Sequence, residues 1–295
     1  MGDSLNLLRD KAREANVSVS VRALAKELLV ASRRPTAGMR LKPSFFLIGS
    51  MKAGTTSLFN NLILHPMIAE PVSKEIRFFD FHYERGRRWY LAHFPLEKTA
   101  KKQGETLTGE ASPSYLFDPH TPRRIRRFES QAKLVVLLRN PVDRAYSHYQ
   151  HAVRYWGETR SFEDAAKVEE EWIGEEQRRR MLDTRFMGVK RIHHSYLTRG
   201  RYLEQLKRWE KMFPREQMLI LKAEDYFERP ETVMPRVLDF LKLPKWEPDS
   251  FRRLNMANYK QLEPGVRDWM YDYFAESNQA LYSHLGTSFE WEAMR

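Results

Sequence analysis

The part of the chain that decides the fold is Phe46-Leu-Ile-Gly49-Ser-Met-Lys52-Ala-Gly54-Thr55-Thr56-Ser57-Leu58. Its apolar start is short and ends at a glycine, which is typical of a buried strand. The residues from Gly54 to Leu64 predict a helix that Pro66 ends. Free backbone N–H groups at the start of a helix, together with the helix dipole, favour an anion. An ordinary tight connection is the alternative, but Lys52 and three hydroxyl side chains at the helix start favour a phosphate-binding turn.

This turn differs from the phosphate loop of nucleoside triphosphatases, which has the pattern GxxxxGK[ST]. Gly49 and Gly54 have the spacing of that pattern, but Thr55 stands where its lysine is expected. The lysine lies inside the loop, at Lys52. Because the usual lysine reaches β- and γ-phosphates, a lysine further forward suits a shorter nucleotide with one 5′-phosphate and one group to be transferred. No residue is evident as a magnesium ligand, so we expect no metal.

A second motif begins with Lys133-Leu-Val-Val-Leu-Leu-Arg139, which predicts a buried strand, and continues into a predicted helix from Val142 to about Tyr155. Arg139 stands at the carboxyl end of this strand, where open α/β sheets bind their ligands. A triphosphatase would carry an aspartate there. Ser147 follows about two helical turns later. An arginine fork and a hydroxyl suit a second, separate phosphate, and a structural ion pair between Arg139 and Asp143 is the alternative.

Apolar strands alternate with amphipathic helices along the chain. A third strand is predicted at Gln217-Met-Leu-Ile-Leu-Lys222, with helices over 202–213 and 231–241. This alternation predicts an α/β fold with a central, mostly parallel sheet and helices on both faces. Since no repeat or flexible linker is evident, we expect one domain over 41–295, preceded by a helical extension over 1–40.

Two segments depart from this alternating pattern. In the extension, Leu5 to Glu14 and Val21 to Arg33 form amphipathic stretches that predict helices packed on the core. A targeting or membrane-surface helix is the alternative, and the acidic residues of the stretch argue against it. Residues 158–192 are rich in charge, and they predict either a solvated helix with i,i+4 ion pairs or a flap that faces the substrate.

The composition limits the classes of function. The chain has 295 residues, 42% of them apolar, so it can form a sizeable core. It has no cysteine, which excludes a disulfide framework, a cysteine nucleophile and zinc–thiolate sites. No apolar run approaches the ~20 residues that cross a membrane. The formal net charge of +11 favours an anionic partner without choosing among nucleotide, nucleic acid, acidic glycan and lipid headgroup.

With both motifs in view, the sequence resembles the sulfotransferases that use 3′-phosphoadenosine 5′-phosphosulfate. The stretch from Gly49 to Leu58 is similar to their 5′-phosphosulfate loop, and the stretch from Leu137 to Tyr149 is similar to their 3′-phosphate motif. Glu75-Ile-Arg-Phe-Phe-Asp80 resembles the branch that contains heparan sulfate N- and 3-O-sulfotransferases, as does the stretch from Gly109 to Tyr115. The resemblance covers roughly Phe45 to Gly286 and implies a P-loop-like sulfotransferase fold.

The resemblance also implies roles for matching residues. Lys52 contacts the bridging oxygen and the 5′-phosphate, whereas Arg139 and Ser147 hold the 3′-phosphate. Glu75 matches the catalytic base of the heparan branch, and Asp80 matches a nearby acid of the catalytic group. The residues expected to bind the donor are Lys52, Ala53, Gly54, Thr55, Thr56, Ser57, Arg139, Ser147 and, from a late loop that closes over the nucleotide, Tyr259 and Lys260.

Several positions depart from the heparan enzymes. Arg77 stands where the 3-O enzymes have a histidine, and Ala111 stands where they have a lysine of the site. The cysteine pair near the late loop and the Golgi anchor are missing. We therefore expect a soluble, cytoplasmic protein of bacterial type, with peripheral membrane association as an option, whose acceptor need not be heparan.

The expected activity is transfer of the sulfuryl group to a hydroxyl or amine of a glycan, glycolipid or small molecule by in-line displacement. Glu75 would take the acceptor's proton. A salt bridge to Lys74 or Arg77 is the structural alternative for Glu75, and His82 is the rival base. Further candidates for contact with the acceptor are Arg77, His82 and Tyr115.

Two other classes of function stay open at this point. One is a small-molecule kinase with an altered phosphate loop, which Thr55 and Arg139 disfavour. The other is a non-catalytic basic protein that binds anions or acidic glycans. Because the basic residues are scattered and no nucleic-acid-binding motif is evident, we expect no nucleic acid partner.

Overall fold

The computed structural model describes residues 21, 23–252, 254 and 262–295. Its centre is a five-stranded sheet in which every pair of neighbouring strands is parallel, with the order β2-β3-β1-β4-β5. The strands are β1 (Phe45–Gly49), β2 (Ile68–Ala69), β3 (Leu107–Ala111), β4 (Lys133–Leu138) and β5 (Met218–Lys222). The predicted α/β fold with a parallel sheet is confirmed.

Helices connect and cover these strands. In chain order they are α1 (23–33), α2 (Thr55–Leu62), α3 (Gly86–Leu91), α4 (Glu97–Lys102), α5 (Thr121–Phe128), α6 (Pro141–Tyr155), α7 (Phe162–Leu182), α8 (Val189–His193), α9 (Tyr202–Glu210), α10 (Ala223–Glu228), α11 (Pro230–Leu241) and α12 (Pro264–Leu285). Within the described ranges, every helix is too short or too polar to cross a lipid bilayer.

Successive residues of a strand point to opposite sides of the sheet, so apolar strands give the sheet two apolar faces, and helices bury both. Phe46 and Ile48 of β1 belong to one core cluster, which also includes Trp209 of α9. Phe45 and Leu47 belong to a second cluster, which includes side chains of α2 and α11. The predicted helices on both faces are therefore present, and every residue of β1 is buried.

The sequence patterns located the strands of the motifs but missed others. β2 has only two residues, and β3 carries threonine, glycine and glutamate, so neither has the apolar run that identifies a buried strand. The long helix α12 was also not predicted. Its first residue is proline and it ends at Gly286, whose φ is 68°, which are ordinary helix boundary signals.

The N-terminal stretches are described only in part. The first, from Leu5 to Glu14, lies outside the described residues. The second forms α1, and its Val30 packs into the core beneath the sheet. The side chain of Arg40 donates a hydrogen bond to the carbonyl of Phe94 at 2.7 Å. The division of the chain at residue 40 stays a prediction.

The charged segment over 158–192 is mainly the helix α7. Two charged side chains of α7, Glu169 and Arg180, are buried and have hydrogen-bond partners. Glu169 accepts hydrogen bonds from the backbone N–H groups of Leu197 and Thr198, and Arg180 forms an ion pair with Asp118 at 2.9 Å. These contacts fix α7 to the rest of the fold.

Candidate active site

The turn after β1 is shaped for an anion. Lys52 and Gly54 both have left-handed backbone conformations, with φ of 71° and 84°. A Cβ on Gly54 would lie 2.4 Å from Cε1 of Phe227, so no larger residue fits this approach. No side chain caps the start of α2. The N–H groups of its first turn, which have no partner within the helix, are therefore available to a phosphate.

The hydroxyl groups at this helix start have different surroundings. Thr55 lines the cleft. The Thr56 hydroxyl accepts a hydrogen bond from Nζ of Lys74 at 2.7 Å, and the Ser57 hydroxyl accepts one from the backbone N–H of Leu254 at 2.9 Å. Ala53 is fully buried and packs into the core, so it can contribute to an anion site only through its backbone.

Three cations converge on this turn. Arg139 follows the carboxyl end of β4, and its Nη1 donates a hydrogen bond to the backbone carbonyl of Lys52 at 3.0 Å. Within the part of the chain that the structure describes, Lys52, Arg139 and Arg154 have no carboxylate within 4 Å. Burial, followed by the charges of Arg139 and Arg154, lowers the pKa of Lys52, while the charge of Glu75 opposes this shift. An anion bound here would relieve this mutual repulsion.

The helix α6 supplies one wall of the cleft. Asn140 caps it, because its side chain accepts the backbone N–H of Val142 at 3.0 Å. Ser147, Gln150, His151 and Arg154 follow at helical spacing and line the cleft from one face of the helix. Ser147, predicted for the 3′-phosphate, thus shares a site with Arg139.

The alternative ion pair between Arg139 and Asp143 is not what the structure shows. Asp143 instead pairs with Nη1 of Arg267 at 2.9 Å. The guanidinium of Arg139 lies over the ring of Phe227, with 5.6 Å between its carbon and the ring centroid. Arg139 is therefore oriented by the loop and by an aromatic ring, and its charge stays unneutralised.

Glu75 also lines the cleft, which has a volume of about 840 Å³. Its Oε1 forms a salt bridge with Nζ of Lys74 at 2.8 Å, and 44% of its side chain is exposed. The salt bridge that was the structural alternative is thus present, but it does not remove Glu75 from the cleft. The charge of this carboxylate opposes, without reversing, the lowering of the pKa of Lys52 and of His151.

Arg77 reaches the cleft, whereas Asp80 lies behind it. Arg77 adopts a left-handed backbone conformation with φ of 52°, and its Nη2 contacts Oδ2 of Asp80 at 3.3 Å. The same Oδ2 accepts a hydrogen bond from Ser114 at 2.6 Å. Asp80 is buried, and burial raises its pKa. It does not line the cleft, and its contacts with Arg77 and Ser114, which both line it, connect it to the site.

Two other predicted residues are not among those that line the cleft. His82 lies against the rings of Phe81 and Trp89, with centroids 5.0 and 5.4 Å away. Tyr115 is fully buried in the core. Burial lowers the pKa of His82. Tyr259 and Lys260 lie outside the described residues.

Gln150 and Arg154, which the sequence did not point to, line the cleft, as do His151 and Trp156, which were candidates for a base and for the lining of an acceptor cleft. Gln150 and Arg154 lie one and two helical turns beyond Ser147, a spacing that could have identified them. Burial, and then the charges of Lys52 and Arg154, lower the pKa of His151 to about 4, so this imidazole is neutral at pH 7. Trp156 lines the cleft and stacks on His193 at 4.3 Å. The helix α7 contributes no side chain to the cleft, whereas Ile192, at the end of the charged segment over 158–192, lines it, so the flap stays a prediction.

Comparisons with known proteins point to one family. A family model described as the sulfotransferase domain matches residues 42–291. A sulfotransferase structure from Alicyclobacillus acidocaldarius is 30% identical, covers 85% of this chain and 99% of its own, and superposes with a TM-score of 0.65.

Curated relatives include the membrane-associated sulfotransferase kil1 of Dictyostelium discoideum, which is 27% identical over 85% of this chain. The heparan sulfate glucosamine 3-O-sulfotransferase 3B1 of mouse is 32% identical over 70% of this chain. The chain spans 66% of the length of the first and 48% of the second. Because the family model covers most of the sequence, the chain belongs to the sulfotransferase domain family.

Proposed function

We propose that this protein transfers the sulfuryl group of 3′-phosphoadenosine 5′-phosphosulfate to a hydroxyl or amine acceptor. The observation that carries the proposal is the uncapped start of α2, which faces the unneutralised cations Lys52 and Arg139 in one cleft. A cluster of cations beside a helix start suits the phosphate and sulfuryl groups of this nucleotide.

The donor fits the residues that are present. The backbone N–H groups from Gly54 to Ser57 would hold the 5′-phosphate, and Lys52 would neutralise the oxygen from which the sulfuryl group departs. Arg139 and Ser147 would hold the 3′-phosphate. Tyr259 and Lys260 remain part of the proposed donor site. The described residue Leu254, which precedes them in the sequence, donates its backbone N–H to the Ser57 hydroxyl.

The donor supplies an activated sulfuryl group, and the protein positions and deprotonates the acceptor. The acceptor's oxygen or nitrogen would bond to sulfur as the bond between sulfur and the bridging oxygen of the 5′-phosphate breaks. Glu75 would accept the proton that the acceptor's hydroxyl or amine loses. A general base of this kind contributes typically 10²–10⁴-fold in rate. Arg77 would contact the acceptor or the moving group, with Asp80 as the acid that orients it.

We propose that the acceptor lies beside the part of the cleft that Trp156 lines. We propose that this acceptor is a glycan or glycolipid. One reason is that Trp156 gives the cleft an aromatic surface beside Arg154. The other is that several relatives, the mouse protein among them, are named for heparan sulfate. We further propose a cytoplasmic location. The name of one relative includes membrane association, so cell fractionation should compare the cytosol with peripheral membrane extracts.

The test is a thermal shift with 3′-phosphoadenosine 5′-phosphate, without added metal. At about 100 times its dissociation constant, the nucleotide should stabilise the fold by about 2.7 kcal/mol. A shift with ATP and magnesium but none with this nucleotide would instead favour the kinase. Steep salt-dependent binding of DNA or acidic glycan, without any nucleotide shift, would favour the non-catalytic binder.

A further inference from the structure

The segment that carries Glu75 is held by a second segment, Gly109 to Tyr115, which begins in β3. Four hydrogen bonds join them at intervals. They are Ala111 N to Lys74 O at 3.2 Å, Arg77 N to Ser112 Oγ at 3.1 Å, Phe79 N to the Tyr115 hydroxyl at 3.3 Å, and Ser114 Oγ to Asp80 Oδ2 at 2.6 Å. The backbone on both sides of Glu75 is therefore tied to the central sheet.

One of these contacts depends on a buried carboxyl. The Tyr115 hydroxyl donates its hydrogen to Oε1 of Glu110 at 2.7 Å, and the hydroxyl of Tyr90 donates to the same oxygen at 3.2 Å. A hydroxyl has one hydrogen. Because Tyr115 gives that hydrogen to Glu110, its lone pairs are free to accept the backbone N–H of Phe79.

Glu110 itself has no place in the proposed reaction. It is fully buried on β3, opposite Phe46 of β1, and it does not line the cleft. Burial of a carboxyl is costly unless its contacts compensate. Its contacts with Tyr90 and Tyr115 connect it, through the Tyr115 hydroxyl, to the backbone of the segment from Lys74 to Asp80.

We propose that Glu110 and Tyr115 are positioning residues, which hold the backbone from Glu75 to Asp80 in the geometry that the catalytic base requires. The proposal rests on the proposed function, in which Glu75 is that base. The side chain of Glu75 is 44% exposed and has one ion-pair partner, Lys74, its neighbour in the chain. Its place in the cleft is consequently set by its backbone, and a misplacement of about 1 Å can cost 10²-fold in rate.

Tyr115→Phe and Tyr90→Phe form a matched pair of variants. Each keeps its ring and loses one hydrogen bond to Glu110, but only Tyr115→Phe removes the acceptor of the Phe79 N–H. Hydrogen exchange of peptides over 75–82 should become about tenfold faster in Tyr115→Phe and stay at the parent rate in Tyr90→Phe.

Turnover should follow the same order. With labelled donor and N-desulfated heparin as the probe acceptor, Tyr115→Phe should lower kcat roughly 10–100-fold, with unchanged affinity for 3′-phosphoadenosine 5′-phosphate. Equal effects of the two tyrosine variants, or faster exchange without a fall in kcat, would overturn the proposal.

A second pair of variants serves if Tyr115→Phe does not fold. Glu110→Gln keeps an oxygen that accepts from Tyr115, whereas Glu110→Leu keeps an apolar volume without an acceptor. At pH 7 we expect the parent exchange rate at Phe79 in the first variant and faster exchange in the second. Equal rates in the two would refute the role of Glu110.

The exchange measurement needs no substrate, so it separates the two proposals. If the parent transferred no sulfuryl group to any acceptor while Tyr115→Phe still exchanged faster, the proposed function would fail and the positioning of the backbone would stand. The reverse result, an active parent whose tyrosine variants behave alike, would remove only the positioning role.

Discussion

Glu110→Gln should change how the stability of the protein depends on pH. Burial raises the pKa of Glu110 from 4.5 to about 8, the hydrogen bonds from Tyr115 and Tyr90 oppose this rise, and the charge of Asp80 adds to it. The carboxyl is thus mostly protonated in the folded protein at pH 7, whereas it is ionised in the unfolded chain. Glutamine resembles the protonated carboxyl in shape and charge.

The sign follows from the proton balance between the two states. A group whose folded pKa lies above its unfolded pKa stabilises the fold below the unfolded value, here about 4.5, and this contribution is lost as the pH rises to about 8. Between these values the folded state holds one more proton, so each pH unit lowers the free energy of unfolding by about 1.4 kcal/mol. From pH 6 to 8 the loss is about 2 kcal/mol.

The assay is urea unfolding of the parent and of Glu110→Gln at pH 6, 7 and 8. The variant retains every other titrating group, so the difference between the two curves isolates Glu110. The parent should lose about 2 kcal/mol relative to the variant across this range, or about 3 °C in Tm for a chain of 295 residues. Parallel pH curves for the two proteins would show that Glu110 is ionised in the folded state and would refute the reasoning.

Two further substitutions test the site itself. Arg139→Ala should weaken binding of 3′-phosphoadenosine 5′-phosphate by about 1.5–3 kcal/mol in a calorimetric titration, because it removes a charge-assisted contact. Arg123→Ala, which removes an exposed cation outside the cleft, is the control for net charge. Equal affinities in the two variants would contradict the 3′-phosphate assignment. Glu75→Gln should lower kcat by roughly 10²-fold with unchanged nucleotide affinity. His82→Asn should lower kcat less. An active Glu75→Gln variant beside an inactive but folded His82→Asn variant would indicate that His82 is the base.

The features that were predictable from the sequence are set by residues that are neighbours in the chain. The strand–turn–helix around Lys52 and the strand that ends before Arg139 were predictable, because apolar runs, glycines and helix starts are properties of neighbouring residues. The spacing of Ser147 and Arg154 on α6 could have been used in the same way. The parallel sheet followed from the alternation of strands and helices.

What the sequence alone could not supply are contacts between residues far apart in the chain. Asp80 could be placed next to a predicted base, but its position behind Arg77 depends on Ser114, which is 34 residues away. In the same way, Asp143 pairs with Arg267, not with its close neighbour Arg139.

Glu110 shows the limit most clearly. On its own it is a polar residue that interrupts a strand pattern, and for this reason β3 was missed. Only the pairing of β3 with β1 places its carboxyl in the core beneath the segment that carries Glu75. The residue types of the chain therefore determine which chemistry is available, whereas the packing of distant segments decides which carboxyl faces the cleft, which is buried, and what each can do.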